Sequence, residues 1–386
     1  MTSDPAARRG RVSTDAGVPA FGLREREWMA RALELAWLGR DSTHPNPRVG
    51  CVLVNGGEIV GEGWHRRAGE PHAEAFALEA AGARARGATA YVTLEPCNHH
   101  GRTPPCTEGL IAAGVARVVY AVPDPDPRVD GGGAARLRAA GIDVVCGLLA
   151  DECTELNLGF FSRLRRRRPW VRLKLAASLD GRTALASGES QWISGEAARQ
   201  DVQGWRAQSA AIVTGSGTVL ADDPALTVRV GEAPRQPLRV VLDGRLRTPP
   251  GARVLTGPGE SVVFALEGAA DASAAPFGSL PRVRLERLPA GADGKLPLAS
   301  VLARLAALQV NDLWVEAGPT LAGAWLAAGL VDELVLYVAP TLLGPDARPL
   351  AALPPLSRLA DRPAWRIHDL RTIGPDARII LRPGGQ

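Results

Sequence analysis

Long apolar segments are absent from this sequence of 386 residues. The longest uncharged stretch near its end, 317–331, is interrupted by glycine and proline and is shorter than the ~18 apolar residues of a membrane span, so we expect no transmembrane helix. The first 22 residues contain several arginines and Asp4 but no apolar segment, which argues against a secretory signal. We expect residues 1–23 to form a disordered tail.

Lysine and aromatic residues are also scarce. The chain has 45 basic residues, but only Lys174 and Lys295 are lysines, and aromatic residues make up 5% of the chain. An arginine content this high, together with much alanine, glycine and proline, indicates codon bias rather than a nucleic-acid-binding face, and few aromatics are available for base stacking. The one dense run of arginines, within 163–168, is typical of a solvated surface or a linker. We therefore expect neither a nucleic-acid partner nor a membrane partner.

Cysteine occurs only five times, at positions 51, 97, 106, 146 and 153. An odd number of thiols in a chain without a secretory signal argues against disulfides and indicates a reducing compartment. We therefore predict a cytoplasmic protein whose cysteines are candidates for metal binding.

Alternating helical and extended patterns predict an α/β fold in two domains. The first half has predicted helices over 25–39, 72–86, 108–113 and 130–140, and predicted strands over 49–54, 58–63, 90–94, 117–121 and 142–145. The second half has predicted strands over 171–176, 211–214, 239–242, 312–316 and 333–338, helices over 196–207 and 320–328, and loops over 267–279 and 345–363. We assign residues 24–149 to one domain, 150–168 to a linker and 169–383 to a second domain.

One histidine and two cysteines have the arrangement of an open zinc site. His72 opens a predicted helix, Cys97 follows a predicted strand, and Cys106 lies nine residues further on. Three protein ligands leave the fourth tetrahedral position to water, whose pKa zinc lowers toward ~7. Glu74, in the first turn of the helix, can carry the proton of that water to a departing amine. The pattern H-x-E followed by P-C and a further cysteine is typical of zinc nucleobase deaminases.

The spacing of the two cysteines departs from that signature, because eight residues rather than two lie between them. Two unrelated buried cysteines and a core histidine are the alternative interpretation. Pro96 before the first cysteine, and the position of the ligands at strand and helix ends, favour the zinc site.

Three segments resemble a known family: HPNPRVG at 44–50, AGEPHAE at 68–74 and TLEPCNHHGRTPPC at 93–106. They are similar to the bifunctional deaminase–reductases of riboflavin biosynthesis, in which the long spacing between the cysteines is the rule. The resemblance extends from about residue 25 to 382 and is weakest over 244–300. It implies a cytidine-deaminase-like three-layer domain followed by a dihydrofolate-reductase-like domain.

The resemblance also implies the first reaction and its residues. The substrate would be 2,5-diamino-6-ribosylamino-4(3H)-pyrimidinone 5′-phosphate, which loses its 2-amino group as ammonia after hydroxide attack at C2. Zn²⁺ would be bound by His72, Cys97 and Cys106. Substrate contacts would come from Asn46, His65, His99 and Arg102, with a surface or capping role as the alternative for the two histidines.

A second set of motifs, KLAASLDGR at 174–182, TVLADDPALTVR at 218–229 and VEAGPTLAG at 315–323, resembles the NADPH-dependent reductase domain of the same family. Residues 215–218 follow a predicted strand, where a phosphate loop would lie. Leu220 occupies the position of the third glycine of a Rossmann fingerprint, so we reject a Rossmann fingerprint for this segment. The resemblance implies NADPH contacts from Ala176, Trp192, Thr218, Asp222, Gly244, Gly318, Pro319, Thr320, Leu321, Ala322, Gly323 and Ala324. It implies that the sugar phosphate is held by Ser190, Arg206, Leu226 and Arg229.

Reduction would deliver hydride to C1 of the ribose, in its ring-opened or imine form, and give 5-amino-6-ribitylaminouracil 5′-phosphate. Asp180 and Glu316 are the candidates for orienting the substrate or supplying a proton. A helix-cap or turn carboxylate is the alternative role for each.

Two other functions remain open at this stage. A tRNA or nucleoside deaminase with an accessory domain would explain the zinc motif but not the second set of motifs. A zinc-stabilised scaffold or nucleic-acid-binding module would not explain Glu74 beside an open three-ligand site. Only the deaminase–reductase predicts tight NADPH binding, and we expect it to be a homo-oligomer.

Overall fold

The computed structural model describes residues 21–99, 104–127, 129, 131–229, 231 and 235–384, so Arg102 and most of the predicted tail lie outside the described residues. The chain folds into two compact units. The first comprises the described residues up to Ala36, Val49–Trp64 and Pro71–Cys153, and the second comprises Trp37–Arg48, His65–Glu70 and the chain from Thr154 onward. Within these described ranges, no helix combines the length and the apolarity needed to span a membrane.

The first unit is built around a five-stranded sheet. Its elements in chain order are α1 (Leu23–Trp37), β1 (Gly50–Asn55), β2 (Glu58–Trp64), α2 (Ala73–Ala81), β3 (Thr89–Val92), α3 (Cys106–Ala112), β4 (Arg117–Tyr120), α4 (Gly132–Ala139) and β5 (Asp143–Cys146). The strand order is β2-β1-β3-β4-β5, in which β1 is antiparallel to both neighbours and β3, β4 and β5 are parallel.

Helices α1 and α2 pack on opposite faces of this sheet, which gives three layers. Glycines in the antiparallel strands permit the close approach, since a Cβ on Gly50 would lie 1.9 Å from the carbonyl oxygen of Ala32 in α1. A Cβ on Gly63 of β2 would lie 2.3 Å from the carbonyl oxygen of Ala73 in α2. These contacts hold the first turn of α2 directly against the sheet.

The second unit contains a nine-stranded sheet. Helix α5 (Ala150–Leu156) begins in the first unit and ends in the second. The further elements of the second unit in chain order are α6 (Leu158–Arg166), β6 (Trp170–Ser178), β7 (Arg182–Ala184), α7 (Glu196–Gln208), β8 (Ala211–Gly215), α8 (Ser216–Asp222), β9 (Leu238–Leu242), α9 (Arg253–Thr256), β10 (Ser261–Leu266), α10 (Asp271–Gly278), β11 (Val283–Leu288), α11 (Leu298–Ala307), β12 (Asp312–Glu316), α12 (Pro319–Ala327), β13 (Glu333–Ala339), β14 (Arg348–Pro349), β15 (Trp365–Ile373) and β16 (Asp376–Pro383).

The strand order β11-β10-β9-β8-β12-β6-β13-β16-β15 is parallel up to β13, after which β16 and β15 are antiparallel. Strands β7 and β14 form a separate pair. Because the carboxyl ends of parallel strands meet at one edge of a sheet, the residues that end β8, β9 and β12 come together there.

The arginine run within 163–168 has structural partners in the second unit. Arg166 and Arg168 pair with the buried carboxylate of Asp332 at 2.8 and 2.7 Å, and the Nε of Arg163 donates to the side-chain oxygen of Asn311 at 2.6 Å. These contacts give the run a role in holding α6 to the sheet.

The prediction of a loop over 267–279 is wrong, because this segment contains α10 even though Pro276 lies within the helix. Its alanines supply the helix propensity that the glycines and serines around them obscured. The predicted loop over 345–363 holds the short strand β14 and a single 3₁₀ turn, Leu359–Asp361, and otherwise has no helix or strand. Strands β10, β11, β15 and β16 were not predicted.

Candidate functional site

His72 stands at the N-cap position of α2 and brings its ring to two sulfur atoms of the first unit. Its Nδ1 lies 3.2 Å from the Sγ of Cys106 and 3.5 Å from the Sγ of Cys97. Cys97 lies in the loop after β3, and Cys106 is the first residue of α3. The three donor atoms lie within 4.8 Å of one another.

This donor set fits zinc, since one imidazole nitrogen and two thiol sulfurs are ligands that zinc prefers and three of them leave an open position. A hydrogen bond from the Cys106 thiol, and then the His72 ring, lower the pKa of the Cys97 thiol against the opposing effect of burial. The backbone N–H of Cys106 also donates to the Cys97 sulfur at 3.4 Å. Thiolate is therefore favoured at the position where a metal requires it.

Glu74 lies in the first turn of α2, two residues beyond His72, and its side chain is buried. Burial raises the pKa of Glu74, while the neighbouring His72 ring opposes this effect. A carboxyl group that holds its proton more readily than usual is suited to moving a proton between water and a leaving amine.

The predicted substrate residues of the deaminase are distributed over both units. The side-chain amide of Asn46 and the Nε2 of the buried His65 lie 3.1 Å apart in the second unit. His99 belongs to the first unit, and its buried Nδ1 has no hydrogen-bond partner among the residues that the structure describes.

The sequence analysis missed two buried carboxylates near the zinc ligands. Glu95 accepts the backbone N–H groups of Gly131 and Ala134 at 3.2 and 3.0 Å and so fixes the start of α4. Burial raises the pKa of Asp124 to about 7, and the charges of Glu95 and Cys97 contribute to this shift. Glu95 follows β3 and Asp124 follows β4, and these two strands are parallel. Because functional residues often lie at the carboxyl ends of parallel strands, the sequence could have predicted both as site residues.

The second unit contains a cleft of about 1640 Å³ at the carboxyl ends of its parallel strands. Most of the site residues predicted for the reductase line it: Ala176, Ser190, Trp192, Arg206, Thr218, Asp222, Leu226, Arg229, Gly244, Glu316, Gly318, Pro319, Thr320, Leu321 and Ala324. Ala322 and Gly323 do not line it. Ala322 packs in the core, and a Cβ on Gly323 would lie 2.0 Å from the carbonyl oxygen of Ala352.

Glu316 ends β12 and faces two cations in this cleft. Its carboxylate accepts the Nε and Nη2 of Arg206 at 2.6 and 2.8 Å and the indole N–H of Trp314 at 2.9 Å. Burial alone would raise the pKa of Glu316, but Arg206 and Lys174 hold it at about 2. Glu316 is therefore ionised at neutral pH. Arg206 also donates a hydrogen bond to the carbonyl oxygen of Thr227. Three of the nitrogen atoms of this guanidinium therefore already donate to protein atoms.

Lys174 lies within the KLAASLDGR motif but was not predicted as a site residue, and the structure places it in the lining of the cleft. It lies on β6 directly across from Glu316 in the parallel register of β6 and β12. Burial lowers the pKa of the Lys174 ammonium, and Glu316 opposes this effect.

Asp180 does not line the cleft. Its exposed carboxylate accepts hydrogen bonds from the Ser178 hydroxyl and from the backbone N–H groups of Leu343 and Gly344, the last at 2.8 Å. The Ser178 hydroxyl lowers the pKa of Asp180 to about 2, and the two backbone donors contribute. In this position Asp180 joins the end of β6 to the loop after β13.

The cleft fits a phosphorylated dinucleotide. Helix α12 directs its N-terminus, with Gly318 as N-cap and Pro319 at the first turn, toward the cleft, where backbone N–H groups can bind phosphate. A Cβ on Gly215 would lie 3.0 Å from the Leu321 side chain, so the turn after β8 lies beside this helix. The cationic side chains that line the cleft are Lys174, Arg199, Arg206, Arg229, Arg245, Arg247, Arg253, Lys295 and Arg348, against the carboxylates Asp222, Asp293 and Glu316.

Two family models match the chain: the cytidine and deoxycytidylate deaminase zinc-binding region over residues 24–122, and the RibD C-terminal domain over residues 169–379. Riboflavin biosynthesis protein RibD of Escherichia coli (strain K12) is 55% identical over 371 residues, which are 93% of this chain and 99% of that protein. The Haemophilus influenzae protein of the same name is 47% identical over 377 residues, or 95% and 99% of the two chains.

Solved structures agree with these matches. Acinetobacter baumannii RibD superposes with a TM-score of 0.86 at 45% identity, covering 94% of this chain and 99% of that one. A diaminohydroxyphosphoribosylaminopyrimidine deaminase/5-amino-6-(5-phosphoribosylamino)uracil reductase from Thermotoga maritima superposes with a TM-score of 0.81 at 33% identity, with the same coverage.

Fold and sites together define a zinc-dependent deaminase joined in one chain to an NADPH-dependent reductase. The chain belongs to the RibD family of bifunctional riboflavin-biosynthesis enzymes. The predicted family, the fold class, the two activities and the cofactors Zn²⁺ and NADPH are thereby confirmed. Its substrates are small molecules, as both matched families indicate.

Proposed function

We propose that the chain deaminates 2,5-diamino-6-ribosylamino-4(3H)-pyrimidinone 5′-phosphate and then reduces the ribosyl side chain to give 5-amino-6-ribitylaminouracil 5′-phosphate. The observation that carries the proposal is the presence, in one chain, of an open His/Cys/Cys site with Glu74 and a basic cleft built around Glu316 and Lys174. The Thermotoga maritima relative bears the name of both activities.

The proposed domains follow the two sites. Residues 24–149 would carry the deamination, residues 169–383 the reduction, and 150–168, which form α5 and α6, would link them. We further propose a cytoplasmic location, where the thiols of Cys97 and Cys106 stay reduced and able to bind metal.

In the deamination, His72, Cys97 and Cys106 would hold zinc, which when bound supplies the Lewis acidity that makes water a nucleophile at neutral pH. Water adds its oxygen to C2 of the pyrimidinone, and Glu74 takes up a proton from that water. Glu74 then gives the proton to the 2-amino nitrogen, the C2–N bond breaks, and ammonia leaves as the C2 carbonyl forms. The second proton of the water passes to the ring nitrogen that had shared the C2=N double bond. The burial of Glu74 favours this exchange because it weakens the preference for the ionised form.

Substrate binding at the deaminase is proposed for Asn46, His65, His99 and Arg102. The Nδ1 of His99, which lacks a partner within the described part of the chain, and the Asn46–His65 pair are polar groups suited to the pyrimidinone and the ribose phosphate. An arginine at position 102 would add a guanidinium fork for the phosphate.

In the reduction, NADPH would, when bound, supply hydride to C1 of the ribose in its open-chain or imine form. We assign its binding to Ala176, Trp192, Thr218, Asp222, Gly244 and the turn 318–324, within which Ala322 and Gly323 act by close packing rather than by contact. The sugar phosphate is assigned to Ser190, Arg206, Leu226 and Arg229, with Arg206 acting mainly through Glu316.

The proton that completes the reduction is proposed to come from Lys174. Glu316, with a pKa of about 2, has no proton to give at neutral pH and can only orient the substrate. The Lys174 ammonium lies across from it and, with a lowered pKa, releases a proton more readily than an exposed lysine. The imine nitrogen accepts this proton as C1 accepts hydride.

We also propose that the enzyme works as a homo-oligomer. Several large apolar side chains of the second unit near the C-terminus are exposed: Leu342, Leu353, Leu356, Leu359, Ile367 and Leu370. Apolar surface of this kind is typical of contacts between subunits.

The first test compares the intact enzyme with Glu74→Gln and with Glu79→Gln, which removes an exposed carboxylate from the same helix. Zinc-loaded protein is incubated with the diaminopyrimidinone ribosyl phosphate, and ammonia release and loss of NADPH absorbance are followed. We expect Glu74→Gln to slow ammonia release by ~10²–10⁴-fold, because proton transfer is lost, and Glu79→Gln to leave it unchanged.

The deaminated intermediate, supplied directly, should be reduced by Glu74→Gln at the normal rate. Ammonia release without NADPH oxidation would contradict the reductase half of the proposal. If neither signal arose in protein that holds one zinc per chain, the metal would be structural and the proposed function wrong.

A further inference from the structure

A loop of the second unit carries Asn46, which the proposed function assigns to substrate binding in the deamination. This Asn46 loop, residues 38–48, is fully described by the structure and contains neither helix nor strand. Within it, the backbone N–H of Asn46 donates to the carbonyl oxygen of Thr43 at 2.8 Å. Because a loop lacks the hydrogen-bond ladder of a helix or strand, contacts with other segments must hold a binding residue in place.

Asn157 supplies two such contacts through the two ends of its side-chain amide. Its Oδ1 accepts the backbone N–H of Arg48 at 2.8 Å, and its Nδ2 donates to the backbone carbonyl oxygen of Arg48 at 2.9 Å. An asparagine amide carries an acceptor and a donor on one planar group, so it can pair with both backbone groups of a single residue. Asn157 is only 3% exposed, so both bonds are shielded from water on its side.

The place of Asn157 in the chain makes this pairing unusual. It is the N-cap residue of α6 and directly follows the last residue of α5. An asparagine at an N-cap ordinarily accepts a backbone N–H from the first turn of its own helix. Asn157 makes no such bond within α6, all of which the structure describes. Its side chain therefore serves the Asn46 loop instead of its own helix.

Two further contacts hold the same loop to other parts of the second unit. Asn311, which precedes β12 and is buried, donates from its Nδ2 to the carbonyl oxygen of Pro45 at 3.0 Å. The guanidinium of Arg48 donates to the carbonyl oxygen of Leu156 at 2.7 Å. The backbone is thus fixed directly before Asn46, at Pro45, and two residues after it, at Arg48.

We infer that Asn157, together with Asn311, is a positioning residue for the deamination, because these two side chains hold the backbone on either side of Asn46. The inference rests on the proposed function, which assigns Asn46 to the substrate. Neither residue belongs to 24–149, the proposed deaminase domain. A binding group displaced by ~1 Å can cost ~10²-fold in activity, so residues that only hold the loop can affect the reaction strongly.

The test measures the two reactions separately in the zinc-loaded full chain. The variants are Asn157→Ala and Asn311→Ala, and the control is Glu152→Gln, which removes an exposed carboxylate from α5. We expect Asn157→Ala to raise the KM for the diaminopyrimidinone ribosyl phosphate by ~10- to 100-fold, with kcat for ammonia release within about threefold of normal. Asn311→Ala removes one hydrogen bond to the loop rather than two, so it should raise this KM less.

Both variants should reduce the deaminated intermediate, supplied directly, with normal kcat and KM, and should retain one zinc per chain. Glu152→Gln should match the intact enzyme in both reactions. Adding Asn157→Ala to Asn46→Ala should change the KM of Asn46→Ala by less than about twofold, because a residue that no longer contacts substrate has no position to lose.

A normal KM for deamination in Asn157→Ala would overturn the inference and leave the proposed function intact. An equal fall of kcat in both reactions with KM unchanged would also overturn it, since loss of folded protein alone has that effect. If Asn157→Ala did not fold, the KM of Asn311→Ala would decide in the same way. Failure of the intact enzyme to release ammonia would instead overturn the proposed function itself.

Discussion

Two acidic residues that the sequence offered as equal candidates have different surroundings. Glu316 is held in the cleft by Arg206 and lies across from Lys174, whereas Asp180 accepts hydrogen bonds from its own turn and from the loop at 343–344. A carboxylate that lines a cleft and faces two cations can contact substrate. One that bridges two loops on the exterior supports the fold.

These surroundings predict different effects of neutralising the two carboxylates. We expect Glu316→Gln to lower kcat for NADPH oxidation by at least ~10²-fold, because Lys174 and Arg206 lose the charge that orients them. Asp180→Asn keeps one acceptor oxygen for the loop amides, so its kcat should stay within a few-fold of normal. Steady-state reduction of the deaminated intermediate measures both values.

Ammonia release from the same two variants is the control, since neither residue belongs to the unit that holds the zinc ligands. An equal loss of kcat in Asp180→Asn, with ammonia release intact, would show that Asp180 acts directly in the reduction.

At the level of single residues, sequence succeeds where the chemistry is local. His72 and Glu74 are two positions apart and Cys97 and Cys106 are nine apart, so a short pattern contains all four. The importance of Lys174 depends on Glu316, which reaches it only through the pairing of β6 with β12. The pair Arg206–Glu316 likewise spans 110 positions. No local pattern contains that information.

At the level of elements, the position of His72 and Glu74 depends on how closely α2 approaches β2. A Cβ on Gly63 would lie 2.3 Å from the carbonyl oxygen of Ala73 and 2.6 Å from the backbone nitrogen of Ala77. Neither atom can move without displacing the helix. Gly63 therefore sets the distance between α2 and the sheet. This distance in turn determines the position of His72, the predicted zinc ligand at the N-cap of α2.

We therefore expect Gly63→Ala to destabilise the first unit by at least ~1–3 kcal/mol and to reduce zinc retained after dialysis below one per chain. Zinc is measured by metal analysis and stability by thermal unfolding. Gly132→Ala is the matched control, because a Cβ at that position in α4 meets nothing within 4 Å. Full zinc content in Gly63→Ala would mean that α2 can shift without moving its ligand.

The same scale explains which elements sequence could predict. Strands such as β1 and β8 are almost wholly buried, so their continuous apolar runs mark them clearly. Strand β15 is exposed at six of its nine positions and carries charged residues, because it lies at the edge of its sheet. Its sequence therefore has little of the pattern that predicts a strand. Helix α10 was missed for a different reason, because glycines and serines surround its alanines.

At the level of the whole molecule, a buried ionic network joins distant parts of the second unit. Glu333 on β13 accepts the indole N–H of Trp170 at 2.9 Å and pairs with Arg172 of β6 and Arg382 of β16. Arg382 also pairs with Glu155 of α5 at 2.6 Å. A single carboxylate thus ties three strands of the large sheet together and, through Arg382, holds the helix that precedes them.

This network makes the stability of the second unit depend on acidity. Burial would raise the pKa of Glu333, but Arg172 and Arg382 hold it at about 2, below its ordinary value of 4.5. A carboxylate with a lowered pKa in the folded state contributes stability above pH 4.5, and this contribution is lost as the pH falls toward 2. Glu316, also held at about 2, acts in the same direction.

We therefore expect the free energy of unfolding of the intact enzyme to fall between pH 5 and pH 3, and Glu333→Gln to fall less over that interval. At pH 7 the variant should be destabilised by ~3–5 kcal/mol, because Arg172 and Arg382 lose a buried partner. Urea unfolding followed by tryptophan fluorescence measures the free energy of unfolding. The signal reports mainly on the second unit, because only Trp28 and Trp64 of the nine tryptophans lie in the first unit. Glu260→Gln, which removes an exposed carboxylate of the second unit, should match the intact enzyme at both pH values. If Glu333→Gln kept the full pH dependence, the acid sensitivity would have to come from other carboxylates, and Glu333 would be ionised no more readily in the folded chain than in the unfolded one.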